Sequence, residues 1–145
     1  MKNNIDPDYD LERFLTAQER DYDLALQEIH SGRKRSHWIW YIFPQLKDLG
    51  YSSTAKYYGI RDLDEAKAYL NEPTLRARLL EISKALLLIK ENDPGSVMGY
   101  PDDLKLRSSM TLFAAADPEE PVFTQVLEKY FHGRPDERTL ALINR

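Results

Sequence analysis

A chain of 145 residues with 30% charged and 42% hydrophobic side chains has the size and composition of one globular domain, which excludes wholesale disorder. Folding at that length buries roughly two-thirds of the unfolded surface. The sequence has no cysteine, so disulfides, thiolate metal sites and thiol nucleophiles are excluded, and none of His30, His37 and His132 pairs with another at metal-motif spacing. A net charge of −4 argues against general nucleic-acid binding, which draws most of its affinity from neutralised phosphates. The longest apolar run, Trp38 to Phe43, is far short of a membrane span, and no hydrophobic leader follows Met1. A cytoplasmic protein without membrane association is therefore expected.

Helical spacing governs the chain from its start. Leu11, Phe14, Leu15 and Gln18 fall on one face, with Asp8 or Asp10 as N-cap. A second helix is predicted from about Tyr22 to Ser31, ended by Gly32 in the left-handed conformation. Arg33, Lys34 and Arg35 then follow a helix C-terminus, where the backbone dipole favours cations. The segment His37 to Phe43 is apolar on every side, and its aromatic and β-branched content suits a strand. No second strand is available to pair with it, and a lone strand leaves its backbone unbonded. A short buried helix ended by Pro44 is expected instead.

Gly50 to Ser53 reads as a turn and Thr54 to Tyr58 as a short helix stopped by Gly59. Asp62 and Glu65, at capping-box spacing, open a helix through Leu70. Pro73 starts the longest regular pattern, through Leu75, Leu79, Ile82, Leu86 and Ile89 to about Lys90. Glu91 to Gly99 reads as a loop, followed by a helix from Pro101-Asp102-Asp103 to about Ala115. After a linker from Asp117 to Pro121, Phe123, Val126, Leu127 and Tyr130 mark an amphipathic helix stopped by Gly133, and Asp136 caps the last one. The expected architecture is all-α: a single compact domain over residues 1–145 with about seven to eight helices, several short.

Two segments carry candidate chemistry. In Arg33 to Gln45 three cations run into His37, Trp38, Trp40, Tyr41 and Phe43. On a helix His37, Trp40 and Tyr41 share a face, so polar-tipped rings stand beside cations suited to phosphate or carboxylate. In Lys105 to Thr111, helical spacing puts Lys105, Ser108 and Ser109 on one side, opposite Leu106, Met110 and Phe113. Hydroxyls with a cation suit an anionic ligand. A nucleophilic serine would need a strained turn and an oxyanion hole, and neither is signalled, so no catalytic residue is assigned. The glycines form no phosphate loop, and no metal or cofactor is expected.

Further motifs carry a family resemblance: His37-Trp38-Ile39-Trp40, Phe43-Pro44-Gln45, Tyr58-Gly59-Ile60, Asp64-Glu65-Ala66 and Lys105 through Phe113. With them the chain resembles the small bacterial family known as domain of unknown function eighteen-ten, some of whose members are labelled calpastatin. The resemblance spans nearly the whole chain and implies a mainly helical single domain, with no established activity, substrate or catalytic residue. A more distant kinship is with small helical proteins of the NAD- and ADP-ribose-associated group, which cleave N-glycosidic bonds. That group's motif is not matched residue by residue, and no catalytic residue is carried over from it.

The expectation that emerges is a pocket for a small anionic, ring-containing ligand, nucleotide-like or sugar-phosphate-like. Arg33, Lys34, His37, Trp40, Tyr41, Lys105, Ser108 and Ser109 would line it. The alternatives are an N-glycosidase-type hydrolase on NAD- or ADP-ribose-like compounds, and a module docking an acidic segment of a protein partner.

Overall fold

A computed structural model describes residues 9–145. Nine α-helices follow one another among them: α1 (Glu12–His30), α2 (Ile39–Ile42), α3 (Ser53–Tyr57), α4 (Leu63–Asn71), α5 (Pro73–Leu88), α6 (Pro94–Met98), α7 (Asp102–Ala116), α8 (Val122–Phe131) and α9 (Glu137–Ile143), with a 3-10 turn at Lys47–Leu49. No strand forms among the described residues, and an isolated parallel bridge joins Leu46 to Ile60. None of these helices is long and apolar enough to cross a membrane.

The all-α architecture is as expected, with local differences that have physical reasons. The two helices predicted before Gly32 are one. Between their apolar sets lies no breaker, and the polar side chains at the seam find partners inside. Buried Gln18 donates through Nε2 to the Tyr41 carbonyl at 2.8 Å and to the Tyr69 hydroxyl at 3.0 Å. The Tyr22 hydroxyl bonds Glu81 at 2.6 Å. Asp8 lies outside the described residues. Asp10 does not act through its side chain: the N-cap position is Leu11, and the Asp10 carbonyl accepts from the Arg13 amide instead. The expected loop before Gly99 contains α6, opened by Asp93 as N-cap and Pro94 in the first turn. In sequence those same residues read as turn formers.

The remaining helix starts follow their caps. Ser52, Asp62, Glu72 and Asp136 each accept an amide of the first turn. Glu65 departs from a reciprocal capping box, because its carboxylate takes the Arg61 amide at 2.7 Å and an ion pair to Arg13 at 3.0 Å. At the other end of a helix, α5 stops at Leu88 because α8 supplies donors to its last carbonyls. The Tyr130 hydroxyl donates to Leu86 at 2.6 Å and the Lys129 ammonium to Ile89 at 2.7 Å.

At the centre lies α7, packed against α2, α4, α6, α8 and α9, while α1 lies on α5. From Ser108 to Phe113 every residue of α7 is buried, so the helix has no solvent face there. Ring contacts tie four helices together: Phe14 to Tyr69 at 5.1 Å, Tyr69 to Phe113 at 5.1 Å, and Phe113 to Phe123 at 6.0 Å between centroids. Between α2 and α4, residues 43–62 carry the 3-10 turn and the short α3, joined by irregular chain.

That connection is pinned by backbone. Lys47 donates to the Ile60 carbonyl at 2.8 Å, and Ile60 donates to Gln45 at 2.9 Å. The two segments approach so closely that a Cβ on Gly59 would stand 2.4 Å from the Lys47 Cα. Because both sides of that contact are backbone, Gly59→Ala is expected to destabilise the fold by about 1–3 kcal/mol in chemical denaturation. Gly95→Ala, where the nearest atom is a side-chain oxygen at 3.5 Å, is expected to be close to neutral.

Candidate functional site

The basic-aromatic segment leaves α1 around one carboxylate. Glu28, near the end of that helix and 6% exposed, accepts the amides of Arg35 at 2.8 Å and Ser36 at 2.9 Å, the Ser36 hydroxyl at 2.5 Å and the Trp38 indole at 2.9 Å. Burial alone would push its pKa up. The donors from Ser36, Arg35 and Trp38 outweigh that and hold it down at about 2. Among the described residues no cation pairs with it, so neutral donors stabilise the charge. Gly32, at φ +92°, makes the turn that brings those donors back to the helix.

This arrangement separates the three cations. Arg33 and Arg35 are exposed, whereas the Lys34 side chain is only 5% exposed and turns inward. Its ammonium donates to the Ser36 carbonyl, pairs with Asp102 Oδ2 at 2.8 Å and lies 4.9 Å from the Trp38 ring centroid. Its amide donates to the Val97 carbonyl at 2.7 Å. Lys34 thus ties the loop to α6 and to the first turn of α7.

The three residues expected on one face diverge, because α2 is a single turn. His37 precedes it and is exposed. Tyr41 is buried toward α1. Its hydroxyl donates to Asp21 and accepts from Arg20 at 3.3 Å, and burial, with the Asp21 carboxylate beside it, pushes the phenol up to about 12. Trp40 is half-buried and faces the other way. There it lines a groove of about 520 Å³, together with Lys105 and Ser108 from α7. Ser109 lies on the inner side of α7, fully buried and without a hydrogen-bond partner, away from the groove lining.

The structure therefore brings Trp40, Lys105 and Ser108 to one place. Arg33, Lys34, His37, Tyr41 and Ser109 are not part of that lining. Lys34 reaches it through Asp102, whose other oxygen stands 3.6 Å from the Lys105 ammonium. Ser108 donates to the Leu104 carbonyl at 3.1 Å, as a mid-helix serine does.

The rest of the lining comes from segments with no local signature. Gln45, Leu49, Gly50, Tyr51, Ser52 and Ala55, then Pro101 and Leu104, and Asp136 with Arg138 complete it. Gly50 fits there because its hydrogen stands where a Cβ would lie 2.6 Å from the Ala55 Cβ. Asp136 and Arg138 arrive through α7: Thr111 Oγ1 accepts the Asp136 amide at 2.8 Å, and Arg107 donates to the Arg134 carbonyl at 2.9 Å. A tertiary contact of that kind leaves no periodic trace around residue 138. Among the described residues, no cluster of three or more histidine, aspartate or glutamate side chains stands ready for a metal.

Residues 8–143 match the family described as protein of unknown function (DUF1810), and the chain belongs to that family. A similar solved structure is that of the conserved hypothetical protein Rv1873 from Mycobacterium tuberculosis, 45% identical, with a TM-score of 0.93 over 97% of this chain and 99% of that one. No curated protein matches.

The Glu28 carboxylate makes stability depend on acid. Its folded pKa lies below the usual 4.5, so its contribution is complete above that value and is lost as pH falls through about 2. The shift corresponds to about 3 kcal/mol. Denaturant melts between pH 6 and pH 2 are expected to show that loss in the wild type and a shallower decline in Glu28→Gln. Equal slopes in the two proteins would contradict the assignment.

Proposed function

We propose that this groove binds a small anionic ligand containing a flat ring, of nucleotide or sugar-phosphate size. The observation that carries the reading is that Trp40 and Lys105, from segments far apart in sequence, line the same groove with Arg138. Its volume of about 520 Å³ is that of ordinary small-molecule sites.

The polar groups divide into spent and spare. Ser108 and Ser52 use their oxygens on the backbone, and Asp136 Oδ2 accepts both the amide and the hydroxyl of Thr139 at 2.9 and 2.6 Å. The Arg138 guanidinium, the Gln45 carboxamide and the Trp40 indole N–H make no side-chain hydrogen bond among the described residues. They are donors in a lining that also carries apolar Leu49, Ala55 and Leu104, which suits a ring with a charged substituent. A hydrolase reading draws only on Asp136, whose carboxylate already caps α9, and receives less support. Docking of an acidic partner segment draws on exposed Arg33 and Arg35, which lie outside the groove lining.

The two tryptophans permit a direct test, since Trp38 is 1% exposed and Trp40 lines the groove. Titration with nucleotides, sugar phosphates and aromatic acids is expected to give a saturable change in tryptophan emission with at least one class. Melting temperature should rise with it, by the stabilisation that mass action gives, about 2.7 kcal/mol at a hundredfold excess over Kd. Trp40→Phe should abolish the emission change, and Lys105→Met should weaken binding about tenfold. An intact protein with no thermal shift across the panel would remove the proposal.

A further inference from the structure

The charges around the groove narrow the ligand further, an inference that rests on the reading just given. Two cations line it, Lys105 and Arg138, and one carboxylate, Asp136. The next charges out cancel: Asp102 lies close to Lys105, but its other oxygen is held at 2.8 Å by the Lys34 ammonium, which is almost fully enclosed. Two positive charges less one negative leave a single positive charge facing the ligand. A dianion placed against Lys105 and Arg138 shares the groove with the Asp136 carboxylate and leaves one charge unmatched in a partly desolvated site.

We infer that the groove selects a flat ring system carrying one net negative charge, an aromatic carboxylate or a phosphodiester, over phosphomonoesters and polyphosphates. Asp136 is then a specificity-determining residue. It excludes the second charge while its side chain caps α9, and the Arg138 fork receives the single anionic group. Gln45, also in the lining, offers the ring both a donor and an acceptor.

The experiment compares four probes at about pH 8, where a phosphomonoester is doubly ionised. Adenosine is neutral, cyclic AMP and indole-3-acetate carry one negative charge, and AMP carries two. In the wild type, cyclic AMP or indole-3-acetate, or both, should bind at least about tenfold tighter than AMP and than adenosine. Asp136→Asn keeps a capping side chain and removes the charge, and should bring AMP to parity with cyclic AMP or beyond. Arg138→Gln, an exposed position, should weaken the monoanions about tenfold without changing the melting temperature of the free protein. AMP binding tighter than cyclic AMP in the wild type would overturn the single-charge assignment and leave the anionic groove standing. So would an unchanged AMP to cyclic AMP ratio in a folded Asp136→Asn. Adenosine binding best, or no binding by any probe, would overturn the underlying reading as well.

Discussion

Glu28 places a full negative charge inside the protein with no cation paired to it among the described residues. Such a charge is tolerable only when enough dipoles point at it, and the chain supplies them by folding Arg35, Ser36 and Trp38 back over the end of α1. The carboxylate fixes the loop, and the loop satisfies the carboxylate. Neither arrangement is stable without the other, so the exit from the first helix has one geometry. The indole that completes the shell is itself a core residue, which couples the polar cluster to apolar packing through Trp38 and Phe43.

From that loop the constraint spreads to the groove. With the chain held at Arg35 and Ser36, Lys34 faces inward, where Val97, Asp102 and the Trp38 ring receive it. Asp102 is thereby neutralised at the first turn of α7, one turn before Lys105. Trp38 occupies the core side of the segment and Trp40 falls on the groove side. The electrostatic character of the groove is thus decided partly by a residue that does not line it.

Much of the fold was legible because helix signals are local. Asp62, Pro73 and Asp136 stand at the starts of their helices, and Gly32 at a positive-φ exit. The α6 turn was hidden because Asp93-Pro94-Gly95-Ser96 is both a turn sequence and a helix start. The groove was legible only in part. Lys105 and Ser108 follow from a helical wheel, and Trp40 from its setting among cations. A wheel drawn through His37 and Tyr41 assumes a helix longer than four residues, and α2 is not. Ser109 illustrates the same limit from inside: spacing puts it near Lys105, but α7 is buried from Ser108 to Phe113, so sharing a side with Lys105 does not bring it to solvent. Arg138, Gln45 and Tyr51 depend on contacts between distant segments and carry no signal of their own.

The bridge at Leu46 and Ile60 has one more implication. Residues 47–59 leave and rejoin the helical body at nearly the same point, as a compact surface excursion. Inside it, Ala55 and Gly59 are the buried positions, while Tyr51 through Thr54 are fully exposed. The helical body holds its later part, where Arg13 of α1 donates to the Tyr57 carbonyl at 2.8 Å and the Gly59 carbonyl at 2.9 Å and the Tyr58 ring packs against Phe14 and Tyr41. The stretch from Tyr51 to Thr54 is exposed, so its amide protons are expected to exchange with solvent before those of the buried part of α7. A molecule seated between Tyr51 and Lys105 would bridge that exposed stretch to α7, so occupancy would be written into its exchange rates.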